Sequence, residues 1–142
     1  IGQGDMLSTP IQVIQMTNLI ATRGDTYEPH LVIDSKYSNV KIDLKQTTWK
    51  FLQVAMWSVV NEEKGTGANS RITIDGVVRG KTGTAENPHG DPHSWYTGYI
   101  TLANKKKMSI AVLVEHGGKG SIMAALLARE LFQLYSMGHE NL

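Results

Sequence analysis

Apolar positions recur with a helical period up to Val60 and again from Ser121, and with a strand-like period in between. The first helical stretch opens at Thr9-Pro10-Ile11-Gln12. Thr at the N-cap, Pro at the first helical position and Gln at the third make a capping box. Ile11, Val13, Ile14, Met16, Leu19 and Ile20 then occur almost all the way round, which predicts a buried helix. Arg23 falls in its last turn and Gly24 supplies the stop. Pro29 to Ile33 reads as a short strand. Gln46 to Val60 reads as a second helix with Leu52, Ala55, Met56 and Val59 as its inner stripe, extended by Trp49 and Trp57. Gly65-Thr66-Gly67 ends the helical region.

The texture then changes. Ile72-Thr73-Ile74 and Val77-Val78 flank Asp75-Gly76, a two-residue hairpin signal. The second arm runs on through Arg79-Gly80 into Lys81-Thr82-Gly83-Thr84. A polar loop from Glu86 to Pro92 follows, punctuated by Pro88, Gly90 and Pro92. Trp95 to Leu102 alternates as a strand does. Met108 to Val114 is nearly all apolar and reads as a central strand buried on both faces. Gly117-Gly118-Lys119-Gly120 is a loop, and Ser121 reads as the N-cap of a last helix reaching Tyr135. Its expected inner face is Ala124, Leu127, Ala128, Leu131 and Leu134, and the tail after Gly138 reads as frayed. Helices, an antiparallel meander and a closing helix together predict an α+β fold, an antiparallel sheet covered by helices.

With 142 residues the chain is one domain or part of one. Hydrophobic residues at 41% and charged residues at 19% argue against disorder. A net charge of +1 gives no case for nucleic acid as a partner, and the one basic run, Lys105-Lys106-Lys107, reads as a solvated turn. Without cysteine, disulfides, cysteine-ligated zinc and thiol catalysis are excluded. No segment approaches the ~20 continuous apolar residues of a spanning helix. Ile1 is not an initiator Met and no signal peptide opens the chain, so the expectation is a chain that begins inside something longer or after processing.

The stretch with the most chemical content is Gly80-Lys81-Thr82-Gly83-Thr84-Ala85, behind an apolar strand. A lysine beside a cleft raises the local potential where a carboxylate docks and favours proton movement off a nearby hydroxyl. Gly83 lets a ligand approach the backbone closely. Thr82 and Thr84 offer hydroxyl donors, and the Thr84 N–H is placed to serve as an oxyanion donor. A peptide lying along such a strand would bind by β-augmentation.

Lys-Thr-Gly is one of three active-site motifs of serine β-lactamases and penicillin-binding proteins. The chain resembles the C-terminal half of a penicillin-binding transpeptidase domain, most similar to the class B enzymes called penicillin-binding protein 2. Four blocks carry the resemblance: Ile1-Gly2-Gln3-Gly4 with Ser8-Thr9-Pro10-Ile11-Gln12; Gly65-Thr66-Gly67; Gly80 to Ala85; and His93-Ser94-Trp95-Tyr96 with Gly98-Tyr99. The resemblance implies a sheet, five-stranded in the complete domain, with helices on both faces. It implies D-Ala-D-Ala transpeptidation in peptidoglycan synthesis through a serine acyl-enzyme, β-lactams as covalent inhibitors, no cofactor or metal, and a place on the outer, periplasmic face of the membrane with an anchor outside this chain. Carried over, Lys81 is the lysine of the third motif, Thr82 and Thr84 bind the terminal carboxylate of a stem peptide or β-lactam, Gly83 gives backbone clearance, and the Thr84 N–H is an oxyanion donor. A β-lactam sensor of the same fold is the alternative, with a β-lactamase ranked below both.

The nucleophile motif, Ser-x-x-Lys, has no credible match. Ser38-Asn39-Val40-Lys41 fits the pattern but overlaps Tyr37-Ser38-Asn39, a loose match to the second motif, Ser-x-Asn, and follows the Gly-Gln-Gly block instead of preceding it. The expectation is that residues 1–142 are the C-terminal portion of one transpeptidase domain. The partner they need is the missing N-terminal half, which holds the activated serine, and the chain alone should be inactive. Two further signals fail on spacing. Gly117 to Ser121 lacks the Gly-Lys-Ser/Thr adjacency of a phosphate loop, and His89 and His93 lie among Pro88, Gly90 and Pro92, which deny them a helix on which four-residue spacing would pair them for a metal. His30, His116 and His139 show no partner in sequence.

Overall fold

The computed structural model describes residue 4 and residues 7–32 and 38–138. The elements are α1 (Pro10–Thr22), β1 (Asp25–Tyr27), β2 (Asn39–Lys41), α2 (Gln46–Asn61), a single 3-10 turn at Ala68–Ser70, β3 (Val77–Ala85), β4 (His93–Thr101), β5 (Lys107–Val114) and α3 (Met123–Gly138). β3, β4 and β5 form an antiparallel sheet in that order, and β1 and β2 form a separate small antiparallel pair. Register in the sheet is continuous, from Val77↔Thr101 to Ala85↔His93 and from Ser94↔Val114 to Thr101↔Lys107.

The two sheet faces carry different helices. Val78, Tyr96, Ile100 and Leu102 pack with Ala124, Ala125, Ala128 and Phe132 of α3. The opposite face carries Tyr99, which meets Ala21 of α1 and Met56 of α2. There the Thr17 and Thr97 hydroxyls lie 2.6 Å apart, tying α1 to β4. α2 serves both clusters, Met56 in one and Val60 in the other, and Asn61 Nδ2 donates to the Val78 carbonyl at 2.9 Å. Helices on both faces of an antiparallel sheet are the α+β arrangement that the element order predicts.

The α1 capping box forms: Gln12 N–H reaches Thr9 Oγ1 at 3.4 Å and Thr9 N–H reaches Gln12 Oε1 at 2.8 Å. The helix ends one residue before Arg23, which is the C-cap in the left-handed region at φ 61°.

Several expectations are corrected. α1 is not buried all round; Thr17 and Ala21 are buried while Ile11 and Met16 stand more than half exposed. The strand expected from Pro29 lies earlier, at Asp25–Tyr27; residues 29–32 form no strand, and Ile33 lies outside the described residues. In α2 the inner line is Trp49, Met56 and Val60, while Ala55 faces solvent and Trp57 is partly exposed. Residues 72–76 form no hairpin arm. Ile72 turns into the core instead, Asp75 accepts the Ala103 N–H at 3.2 Å, and the Asp75 carbonyl accepts Ser136 Oγ at 2.6 Å. β5 is an edge strand of the described sheet and β4 is central; β5 reads as apolar because α1 and α3 each lean on one of its faces. On α3 the buried line is Ala124, Ala125, Ala128, Phe132 and Ser136, with Leu127, Leu131 and Leu134 outside. Alanine lets the helix backbone close on the sheet, which outweighs the larger apolar area of leucine. The tail from residue 139, with His139, lies outside the described residues.

Candidate functional site

β3 carries Lys81-Thr82-Gly83-Thr84 at the end remote from its start, paired on one side to β4 only. Two side-chain contacts mark which backbone groups face away from β4. The Val78 carbonyl takes Asn61 Nδ2, and the Thr82 carbonyl takes Lys81 Nζ at 2.6 Å. Backbone direction alternates along a strand, so the N–H and C=O of residues 78, 80, 82 and 84 line the outer edge. The Thr84 N–H therefore points off the sheet, where an incoming carbonyl oxygen or extended peptide would meet it.

The side chains around this edge are ordered by their neighbours. Thr82 Oγ1 lies 2.9 Å from Thr66 Oγ1, so the Gly65-Thr66-Gly67 element and the Lys-Thr-Gly strand share one hydroxyl pair. Thr84 Oγ1 accepts the Gly120 N–H at 3.2 Å, which leaves its own proton free to donate to a ligand. Lys81 is exposed, so an incoming anion could reach it. Gly83 has a packing reason beyond ligand clearance: a Cβ there would stand 3.2 Å from Trp95 Cβ.

The loop that expectation made a plain turn supports the strand from behind. Gly120 is buried against the Gly83 and Trp95 carbonyls, where no side chain fits. Ser94 Oγ donates to the Lys119 carbonyl at 3.1 Å and accepts the Ala124 N–H at 3.0 Å. Ser94, not Ser121, thus satisfies the first turn of α3, which starts at Met123; the Ser121 carbonyl takes Asn69 Nδ2. Tyr96 and Ser70 lock the other side. Ser70 Oγ donates to the Gly67 carbonyl at 2.7 Å, so its remaining contact, 2.7 Å from Tyr96 Oη, is received from the tyrosine. Burial pushes the Tyr96 phenol well above its ordinary 10.0, only partly offset by Ser70, and keeps it a donor.

A family model described as the penicillin binding protein transpeptidase domain matches residues 1–133. The chain belongs to this transpeptidase family. It is 30% identical to the peptidoglycan D,D-transpeptidase MrdA of Haemophilus influenzae over 95% of this chain and 25% of that protein. It is 30% identical to the peptidoglycan D,D-transpeptidase PbpA of Mycobacterium tuberculosis over 97% of this chain and 31% of that protein. Among solved structures, penicillin-binding protein 2 of Helicobacter pylori in complex with MreC superposes with TM-score 0.81 at 36% identity, covering 98% of this chain and 26% of that one. The chain thus spans a quarter to a third of the length of the relatives it matches, and it is similar to the penicillin-binding protein 2 branch of the transpeptidases.

Ser38 to Lys41 can be set aside as a nucleophile motif on local structure as well. Asn39–Lys41 is a strand, which lacks the helical turn that would bring Ser38 and Lys41 together. Among the described residues no cluster of histidine, cysteine or carboxylate side chains is arranged to hold a metal ion, and no helix is long and apolar enough to cross a membrane.

Two things escaped the sequence. His116 has partners: its N–H donates to His93 Nδ1 at 3.0 Å, and its Nδ1 lies 3.2 Å from the Asp91 carbonyl. More consequential, Lys107 is not in a solvated turn. It begins β5 and donates to the Ala21 carbonyl at 2.8 Å, beside a pocket that also holds Arg23 and Arg79. No residue spacing links these cations; the β3–β4–β5 register puts Arg79 and Lys107 on one face, and packing of α1 against the sheet brings Arg23 to them.

Proposed function

We propose that this chain is the Lys-Thr-Gly wall of a peptidoglycan D,D-transpeptidase acting at the outer face of the bacterial membrane. The observation that carries the reading is the open edge of β3, which leaves the Thr84 N–H unpaired with β4, holds the Lys81 ammonium on the Thr82 carbonyl and is flanked by the Thr82 and Thr84 hydroxyls. In this reading a serine of the same polypeptide, outside residues 1–142, attacks the carbonyl of the penultimate D-alanine of a stem peptide. The terminal D-alanine leaves, and an amine of a second stem peptide then takes the acyl group from the serine. Lys81 holds the substrate carboxylate and keeps the potential positive where the oxyanion forms. Thr82 and Thr84 donate to that carboxylate, and the Thr84 N–H is one oxyanion donor. β-Lactams enter the same way and stay as the ester. The M. tuberculosis penicillin-binding protein A, solved as an imipenem acyl-enzyme complex, is 26% identical with TM-score 0.69 and supports this reading.

The test uses the full-length polypeptide that contains this chain. Incubation with a fluorescent penicillin should give a covalent adduct outside residues 1–142, and Lys81→Gln should slow labelling about 10²- to 10³-fold, the range for losing one oxyanion-stabilising group. Labelling indifferent to Lys81 would sink the assignment. Rapid turnover of the label would indicate a hydrolase, and a stable adduct without cross-linking of stem peptides would indicate a sensor.

A further inference from the structure

On the same sheet face as Lys81, nearer the start of β3, three cations border one open pocket of about 250 Å³. Arg23 caps α1, Arg79 sits on β3 and Lys107 starts β5. Tyr99 lines the pocket, its ring centroid 5.8 Å from the Arg79 guanidinium carbon. Gln53 braces the rim, accepting Arg23 Nε at 3.4 Å and donating to the Ile20 carbonyl at 2.8 Å. An adjoining hollow of about 350 Å³ shares Arg23, Gln53 and Arg79 and adds Lys50.

The charges here do not balance. The one ion pair recorded among the described residues is Arg129 with Glu130, on α3. What opposes the three cations is the carbonyl end of α1, where Ala21 O holds Lys107; a helix C-terminus amounts to roughly half a negative charge. Partial burial, then Arg23 and Arg79, push the Lys107 ammonium below its usual range. Like charges brought together by fixed backbone elements repel unless an anion lies between them. Two guanidinium forks and an ammonium around a small cavity suit a planar or tetrahedral oxyanion.

We propose that Arg23, Arg79 and Lys107 form an oxyanion-binding pocket that takes a carboxylate or phosphate group, distinct from the ligand of the Lys-Thr-Gly strand. The group comes either from an acidic side chain of the parent polypeptide outside residues 1–142 or from a free anion.

The experiment measures the melting temperature of the full-length polypeptide in inorganic phosphate and in chloride at equal ionic strength, for the wild type and for Lys107→Gln and Arg23→Gln. Glutamine keeps a donor at each position, so the variants remove charge with little loss of hydrogen bonding. An internal carboxylate predicts that both variants melt lower by about 2–4 °C in either salt, with no phosphate effect on the wild type. A free anion predicts a saturable rise of the wild type in phosphate that both variants lose. Variants that melt at or above the wild type in both salts, with no phosphate response, would overturn the proposal, because relief of repulsion would then be the whole effect. Fluorescent-penicillin labelling of the same variants reads the transpeptidase site separately, so failure of one reading is distinguishable from failure of the other.

Discussion

Thr66 and Thr82 face each other across 2.9 Å, hydroxyl to hydroxyl, at the rim of the Lys-Thr-Gly edge. Either oxygen can be the donor, so the pair can turn without breaking: if Thr82 binds a carboxylate as proposed, it would donate outward while Thr66 donates to Thr82. Thr66 would then support a hydrogen bond it does not itself make with the ligand.

This relay gives an ordered prediction. In the full-length polypeptide, Thr82→Val removes a hydrogen bond to a charged group, worth about 1.5–3 kcal/mol, and should slow β-lactam acylation roughly 10- to 150-fold. Thr66→Val removes a neutral partner and should slow it by less than about 10-fold. Neither should change melting much, since Thr66 is exposed and Thr82 half-exposed. Equal effects on the acylation rate would show that Thr66 touches the ligand itself.

The strand is held in place from the Tyr96 side, and two substitutions separate packing from hydrogen bonding there. A Cβ on Gly80 would run into the Tyr96 hydroxyl and ring, so Gly80→Ala must push the tyrosine off Ser70 and should cost about 1–3 kcal/mol from overpacking plus a comparable amount for the buried hydroxyl. Tyr96→Phe keeps the packing and loses only that bond, about 1–2 kcal/mol. Denaturant unfolding of both variants checks the order. A Gly80→Ala protein no less stable than Tyr96→Phe would mean the backbone yields instead of the ring.

The sequence was legible where one element sufficed to explain its own residues. Thr9 and Gln12 announce the start of α1, and the turn residues around Pro88 and Gly90 mark the β3–β4 loop, because capping and turn chemistry are local. It misled where a residue answers to a distant partner. Asp75-Gly76 has the composition of a hairpin turn, yet Asp75 is bound by Ala103 and Ser136. Leu127, Leu131 and Leu134 outrank Ala124 and Ala128 in hydrophobicity, yet close approach to the sheet selects alanine for the contact. The site divides in the same way: Lys81 to Thr84 stand in one run, whereas Arg79 and Lys107 meet only once three strands are in register, and Arg23 joins them only when α1 packs on that sheet.

Lys107 gives a pH dependence with a definite sign. Its pKa in the folded protein lies below the ordinary 10.5, so between those two values the unfolded chain binds more protons than the folded one. Stability should therefore rise with pH across that window, and the penalty of the charged form should be present in full below it. In chloride, and where no acidic side chain of the parent is seated in the pocket, Lys107→Gln should flatten this alkaline rise while leaving the profile near neutrality parallel to the wild type. Urea unfolding at a series of pH values measures it; an alkaline slope unchanged in the variant would assign the effect to other groups.

The apolar residues that face outward yield the last prediction. Leu127 and Leu131 are each 45% exposed and Leu134 is 66% exposed, while Phe132 on the same helix is fully buried. Across the molecule, Phe51 and Val54 of α2 are also mostly exposed. Apolar area of this kind is costly in water, at roughly 25 cal/mol per Å², and contiguous patches drive association. In a preparation of residues 1–142 alone, Leu131→Glu with Leu134→Glu should reduce self-association without loss of helical content. In the full-length polypeptide the same pair should lower the melting temperature, because the proposed remainder of the domain would cover that face. Phe132→Ala should cost about 3–5 kcal/mol wherever the chain is folded. Light scattering and circular dichroism on both polypeptides compare the cases. If the glutamate pair leaves the full-length protein as stable as before, α3 presents its leucines to solvent in the parent too, and the covering half of the domain lies elsewhere.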